Sequence, residues 1–179
     1  LFVSAADWAF RGHRLSLAKW LIQRGVTVGV ICPEGDERAI LESAGLEVYM
    51  MDWTRERVSL VETWRAAREI RRVATTFEAD VVHCVSVRCV LLGWLASWGG
   101  RSWRLIHHVI GMGSLFSESP SGLKTTGLRA LVEWGLKCAF RTNNTVTVFQ
   151  NQDDEAFWRK RAGLGESQCV RLPGSIEWK

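Results

Sequence analysis

Short apolar segments of strand type alternate with segments of helical period along this chain of 179 residues. Parallel strands need a crossover connection, which is usually a helix, so strict alternation predicts an α/β domain. We therefore expect a mainly parallel sheet with helices on both of its faces. The predicted strands are residues 1–4, 27–32, 46–51, 79–84, 104–109, 145–149 and 169–172.

The first helix is predicted from the spacing of its apolar side chains. Residues 13–24 carry them at a helical period, and Gly25 follows as a C-terminal stop. Residues 5–11 are accordingly expected to be an irregular loop that Gly12 closes.

Polar residues predict where the later helices begin. Asp36 and Asn151 are expected to act as N-caps, and Ser59 with Glu62 has the spacing of a capping box. The later helices are predicted at residues 36–44, 59–77, 90–98 and 123–140 and from residue 151.

Composition excludes several classes of protein. The net charge of +4 is too small to indicate nucleic-acid binding, and no apolar run reaches the length of a membrane-spanning helix. The five cysteines are odd in number and form no CxxC pair, which favours a reducing compartment and argues against a zinc site. Ten tryptophans are unusual, and they fit either core positions or a ligand-facing or membrane-facing belt.

Candidate site residues follow the predicted strands at their carboxyl ends. Ligands of open parallel sheets bind at that edge. Glycines let backbone approach a ligand closely, and histidines bind hydroxyl or phosphate groups. The candidates are Arg11, Gly12 and His13 after the first strand, His83 and Ser86 at the fourth, Gly111, Met112, Gly113 and Ser114 after the fifth, and Asn151 after the sixth.

Each candidate also has a purely structural interpretation. The loop at 111–114 can simply turn the chain, His13 can begin a helix, and His83 can be a satisfied core histidine. His107 and His108 lie on opposite faces of their strand, so at most one of them reaches a given cleft. Convergence on one edge of the sheet is what favours a site.

Motif absences narrow the chemistry further. The first strand–helix connection lacks G-x-G-x-x-G, the chain has no P-loop, and no G-x-S-x-G nucleophile elbow occurs. Dinucleotide-binding enzymes, P-loop kinases and α/β-hydrolases are therefore disfavoured.

The order of several segments resembles the amino-terminal half of GT-B glycosyltransferases of family 4. The resemblance is strongest to the bacterial branch that adds sugars to undecaprenyl-linked saccharides for surface polysaccharides. It runs through GHRLSLAKWLIQRGVTVGVIC, ADVVHCVS, VIGMGSLF, TVFQNQDDEAF and LPGSIEW in that order.

The resemblance implies a Rossmann-like, acceptor-side domain over residues 1–172 and the start of an interdomain hinge at residues 173–179. The second domain, with its E-x7-E motif, would hold the donor and lies outside this sequence. It also implies sugar transfer with retention and without a metal ion, so this fragment alone is expected to be inactive.

The family pattern falls on Gly12, His13, His83, Gly111 and Gly113. Many family members carry a histidine at the position of Ile110, so the catalytic residue stays unassigned here, with His83 as the candidate.

The expected substrates are a UDP-linked nucleotide sugar and a polyprenyl-diphosphate-linked saccharide, with no cofactor, no metal and no nucleic acid. The expected location is cytoplasmic, peripheral on the inner membrane. The alternatives are a non-catalytic sugar-binding or small-molecule-binding α/β domain and a nucleotide-sugar epimerase of GT-B architecture.

Overall fold

A computed structural model describes residues 1–53, 59–100, 103–110 and 123–172, with side chains from residue 127 onward in the last range. The strands are β1 (Phe2–Ser4), β2 (Gly29–Pro33), β3 (Glu47–Met51), β4 (Val81–Val85), β5 (Arg104–Val109), β6 (Thr145–Phe149) and β7 (Cys169–Arg171). The helices are α1 (Asp7–Ile22), α2 (Arg38–Ser43), α3 (Leu60–Thr76), α4 (Val87–Ala96), α5 (Leu123–Phe140) and α6 (Gln152–Ala162). All seven predicted strands are confirmed.

The seven strands form one sheet in the order β3-β2-β1-β4-β5-β6-β7, and every neighbouring pair is parallel. The chain starts in the middle of the sheet, builds outward to β3, and returns through α3 to place β4 beside β1. This is the Rossmann-like α/β architecture that the sequence predicts. The strand order reverses between β1 and β4, which is where such sheets bind ligands beyond the carboxyl ends of their strands.

Side chains of the sheet alternate between two apolar cores. One core contains Phe2, Val30 and Val85 together with Phe10 and Ala18 of α1, and α2 contributes to it as well. We call this side of the sheet the α1 face.

The opposite face forms the larger core. Helices α3 to α6 cover it, and its most buried side chains include Ile70, Leu105 and Trp158. Helices therefore lie on both faces, as predicted. Within the described residues, no helix combines the length and the apolar character that crossing a bilayer requires.

Helix α1 corrects the sequence prediction. It begins at Asp7, so residues 5–11 are not an irregular loop and Gly12 does not close one. The Asp7 carboxylate accepts hydrogen bonds from the backbone N–H groups of Trp8 (2.8 Å) and Glu37 (3.0 Å). The second of these bonds joins α1 to the start of α2, which is a long-range contact.

The predicted starts of α2 and α4 are also wrong, and α3 begins after Ser59 as predicted but without its predicted capping box. Glu37 rather than Asp36 precedes α2, and it makes no side-chain cap. Ser59 precedes α3 without a side-chain cap hydrogen bond, so the predicted capping box does not form. Helix α4 begins at Val87, three residues earlier than expected.

The tryptophans are divided between core and surface. Of the nine tryptophans in the described residues, Trp53, Trp103 and Trp158 are buried, Trp94 is half-buried, and five are exposed. The exposed ones are Trp8, Trp20, Trp64, Trp98 and Trp134.

Candidate functional site

Arg11 and Gly12 lie on the exposed side of α1. The Arg11 guanidinium donates to the Glu37 carboxylate at 2.9 Å and 3.0 Å, which ties α1 to α2. Both candidates line an open hollow of about 480 Å³. Its other lining residues are Trp8, Leu15, Ser16, Lys19 and Glu37.

His83 lies on the α1 face, where it meets His108 and Arg14. The two imidazole rings stack with their centroids 5.5 Å apart, and Nε2 of His83 lies 3.3 Å from Nδ1 of His108. Nη2 of Arg14 lies 3.1 Å from Nε2 and 3.2 Å from Nδ1 of His108. We call Arg14, His83 and His108 the arginine–histidine cluster.

The sheet register explains this meeting. Val85 of β4 pairs with both Ser4 of β1 and His108 of β5, so His108 lies level with the last residues of two neighbouring strands. His83 lies two residues further into the sheet on the same face. The cluster therefore sits next to the carboxyl edge of the sheet, beside the point where the strand order reverses.

Desolvation keeps both imidazoles neutral at pH 7. Desolvation, together with the positive charge of Arg14, lowers the pKa of His108 from 6.5 to about 4. Desolvation lowers the pKa of His83 well below 6.5, and the neighbouring His108 and Arg14 lower it further. Desolvation also lowers the pKa of Arg14, whose ordinary value lies far above neutral pH. The cluster thus carries one positive charge at pH 7.

Ser86 supports the cluster through its backbone. Its N–H donates to the carbonyl oxygen of His108 at 3.0 Å, and its side chain accepts from the N–H of Cys89 at 3.4 Å as the N-cap of α4. Its φ of +100° lies in a region that L-residues rarely adopt. Such backbone strain persists only where the surroundings enforce it, and it is common at functional sites.

The remaining candidates have separate positions. His13 is exposed, and its carbonyl oxygen accepts from Nη1 of Arg14 at 2.9 Å. Asn151 caps α6 as predicted: its Oδ1 accepts from the N–H of Asp154 at 2.7 Å, and its Nδ2 donates to that carboxylate at 2.9 Å. Gly111, Met112, Gly113 and Ser114 lie outside the described residues.

Arg14 was missed by the sequence analysis. The signal for it was the spacing of Phe10, Arg14 and Ala18, which lie four residues apart and are all buried on one side of α1. Only a helix that begins before residue 10 reveals that line. His108 was recognised as one of two alternating histidines but not assigned to the site.

His107 confirms the predicted separation of the two histidines. It is fully buried on the opposite face, with its ring 6.1 Å from that of Phe140 on α5. Of these two histidines, His108 is therefore the one that lies on the α1 face. Among the described residues, no three His, Cys, Asp or Glu side chains are grouped as metal ligands.

A family model described as "Glycosyl transferase 4-like domain" matches residues 13–154. The matched region contains the whole arginine–histidine cluster together with Ser86 and Asn151. No curated protein sequence matches the chain.

Solved structures are similar to the chain in fold. A crystal structure of a glycosyltransferase from Rickettsia africae ESF-5 superposes with a TM-score of 0.65 at 15% sequence identity. The superposition covers 96% of this chain but 41% of that one. At this identity the likeness shows the shared fold, and the chain spans less than half the length of that glycosyltransferase.

Proposed function

The chain belongs to the glycosyl transferase 4-like domain family, and from that premise we propose that it is the acceptor-side domain of a glycosyltransferase. The reaction is the transfer of a sugar from a UDP-linked donor to a saccharide acceptor, with retention of configuration and without a metal ion. The family match over residues 13–154 is the observation that carries this proposal.

The proposed domain organisation places the acceptor-side domain at residues 1–172 and the start of the interdomain connection at residues 173–179. A second domain would bind the donor. The length of the Rickettsia africae glycosyltransferase supports this organisation, because the region it shares with this chain makes up 41% of it.

The carboxyl edge of the sheet would face the substrates. His83 is the candidate for contact with a sugar hydroxyl or with the leaving phosphate, because a neutral imidazole both donates and accepts a hydrogen bond. Its lowered pKa keeps it in that neutral form at pH 7. Without a metal ion, protein N–H groups and cations would have to stabilise the charge that develops on the leaving diphosphate.

The proposed acceptor is a polyprenyl-diphosphate-linked saccharide at the cytoplasmic face of the inner membrane. Helices α3, α4 and α5 carry eight Lys or Arg residues against three Glu, an excess of five positive charges. Exposed indole rings on the same helix layer suit the polar–apolar boundary of a bilayer. Basic and aromatic side chains together favour peripheral binding to anionic lipid.

A donor screen on the intact protein tests the proposal. Nucleotide sugars are offered with lipid-linked saccharides from the source membrane, and the products are read by mass spectrometry with EDTA present. We expect a mass gain of one sugar with one donor, and the anomeric configuration of that product tests retention. Binding of a sugar without transfer from any donor would instead support the non-catalytic sugar-binding alternative.

A further inference from the structure

Arg14 is a buried cation that pairs with no carboxylate of the described residues. Arg14 is 8% exposed, and its side-chain hydrogen bonds go to the His13 carbonyl oxygen and to the His108 ring. No carboxylate of the described residues forms an ion pair with it. Burial of an unpaired charge is unfavourable, and proteins usually compensate it with a counter-charge.

The guanidinium also keeps an unused donor. Nε of Arg14 is buried and makes no hydrogen bond. Buried donors are nearly always paired, and an unpaired one in a native structure calls for an explanation such as a bound water or ion. A guanidinium has no acceptor atom, so the partner that it lacks must be an acceptor.

The two imidazoles extend this excess of donors. Arg14 can only donate, and its Nη2 lies within hydrogen-bond distance of both ring nitrogens of His108. Nδ1 of His108 also lies 3.3 Å from Nε2 of His83, and the tautomers decide which of these two nitrogens donates. A neutral imidazole carries one N–H group, so each histidine adds one donor to the cluster.

The cluster borders an exposed part of the sheet. His83 is half-buried, as is its register partner Ile106 on the same face. Farther out on that face, Val146 of β6 and Val170 of β7 are 37% and 42% exposed. On the α1 face, the sheet beside His83 is therefore only partly covered.

We propose that the arginine–histidine cluster is a subsite for a phosphate-type anion, with the Arg14 guanidinium as its counter-charge and His83 as a second donor. This inference rests on the proposed function for its biological ligand, since both substrates named there carry a diphosphate. Diphosphate oxygens supply only acceptors, which matches the donors of the cluster.

Isothermal titration of the intact protein with inorganic pyrophosphate tests the subsite, with sodium chloride at matched ionic strength as the blank. We expect Arg14→Gln to raise the Kd for pyrophosphate by about tenfold or more, because charge-assisted hydrogen bonds to the anion are lost. Arg38→Gln is the matched control. Arg38 is an exposed arginine of α2 paired with Glu42, and its loss is expected to leave the Kd unchanged. Equal Kd values for the unaltered protein, Arg14→Gln and Arg38→Gln would overturn the proposal.

Histidine NMR signals give a test that does not depend on the folding of a variant. Pyrophosphate should shift the imidazole resonances of His83 and His108 but not those of His107, which lies on the opposite face. Equal shifts of all three, or none at His83 and His108, would contradict the subsite.

Two further probes distinguish the source of the diphosphate. UDP represents the donor, and farnesyl diphosphate in detergent represents the acceptor. If Arg14→Gln lowers the affinity for one of these two probes, that probe identifies the substrate that the subsite holds. No effect on the affinity for UDP or for farnesyl diphosphate would refute the subsite.

Pyrophosphate binding needs no sugar transfer. Binding without transfer therefore overturns only the proposed function, and transfer without binding overturns only the subsite.

Discussion

Two desolvated imidazoles with lowered pKa values make the stability of this domain depend on pH. Both histidines titrate near pH 6.5 in an unfolded chain, whereas burial lowers the pKa of His108 to about 4 and that of His83 well below 6.5. Between these values the unfolded state binds more protons than the folded state. The stability that the two neutral imidazoles contribute is therefore fully present above pH 6.5. The free energy of unfolding then falls as the pH falls from 6.5 towards 4.

Denaturant titrations between pH 7 and pH 5 measure this dependence. Each histidine is expected to lower the free energy of unfolding by up to about 1.4 kcal/mol per pH unit below pH 6. His108→Asn should remove roughly half of the slope. His13→Asn serves as the control, because His13 is exposed and outside the cluster. A slope that His108→Asn leaves intact would show that the imidazoles do not titrate this way.

At the scale of helices and strands, some helix ends make local contacts and others make contacts that are distant in sequence. Helix α6 begins locally, since its N-cap Asn151 bonds to Asp154 three residues away. The first residue of α1 is Asp7, and its carboxylate accepts a hydrogen bond from the N–H of Glu37, which lies thirty residues further along the chain. The first kind of end is visible in a sequence window, and the second is not.

Loss of the α6 cap has a defined expected cost. Asn151→Ala should lower the free energy of unfolding by about 1 kcal/mol, because the N–H of Asp154 loses its acceptor. Asn151→Ser keeps an oxygen at that position and should lose only a few tenths of a kcal/mol. Thermal or denaturant unfolding measures both. Equal losses in the two variants would mean that capping is not the role of Asn151 in the fold.

The sequence therefore predicts the elements well and the site only in part. Helix α5 and strand β6 appear at their predicted bounds, because each follows a clear local pattern. The missing site residue is Arg14, a charged side chain on a buried helix line. Propensity and periodicity treat such a residue as surface, and only its packing against β5 reveals otherwise.

At the scale of the whole molecule, the helix layer opposite α1 carries exposed aromatic side chains that suit the proposed membrane contact. Trp94 stacks edge-on with Trp98 (5.0 Å) and Trp134 (6.1 Å), and Leu131 lies one turn from Trp134 on α5. Trp98, Leu131 and Trp134 are all about half exposed. We call these four residues the tryptophan surface.

Flotation with vesicles that contain anionic lipid tests this surface in the intact protein. We expect binding that weakens as salt rises, because exposed charges are screened. Replacing Trp98 and Trp134 together by Gln should weaken partitioning by about tenfold, since burial of two large apolar side chains is lost. Trp20→Gln is the control, because Trp20 is an exposed tryptophan on α1. Equal effects of the two changes would exclude the tryptophan surface as the contact.

The arginine–histidine cluster also constrains the order in which the chain folds. Its contact between Arg14 and His108 joins residues 94 positions apart, and it requires β4 to have returned beside β1. Contacts of such long sequence separation carry a high loop-closure cost and slow the search for the native state. A chain that has assembled only β1, β2 and β3 cannot form the cluster. The His108 resonance would therefore serve as a built-in reporter of the moment when the two halves of the sheet join.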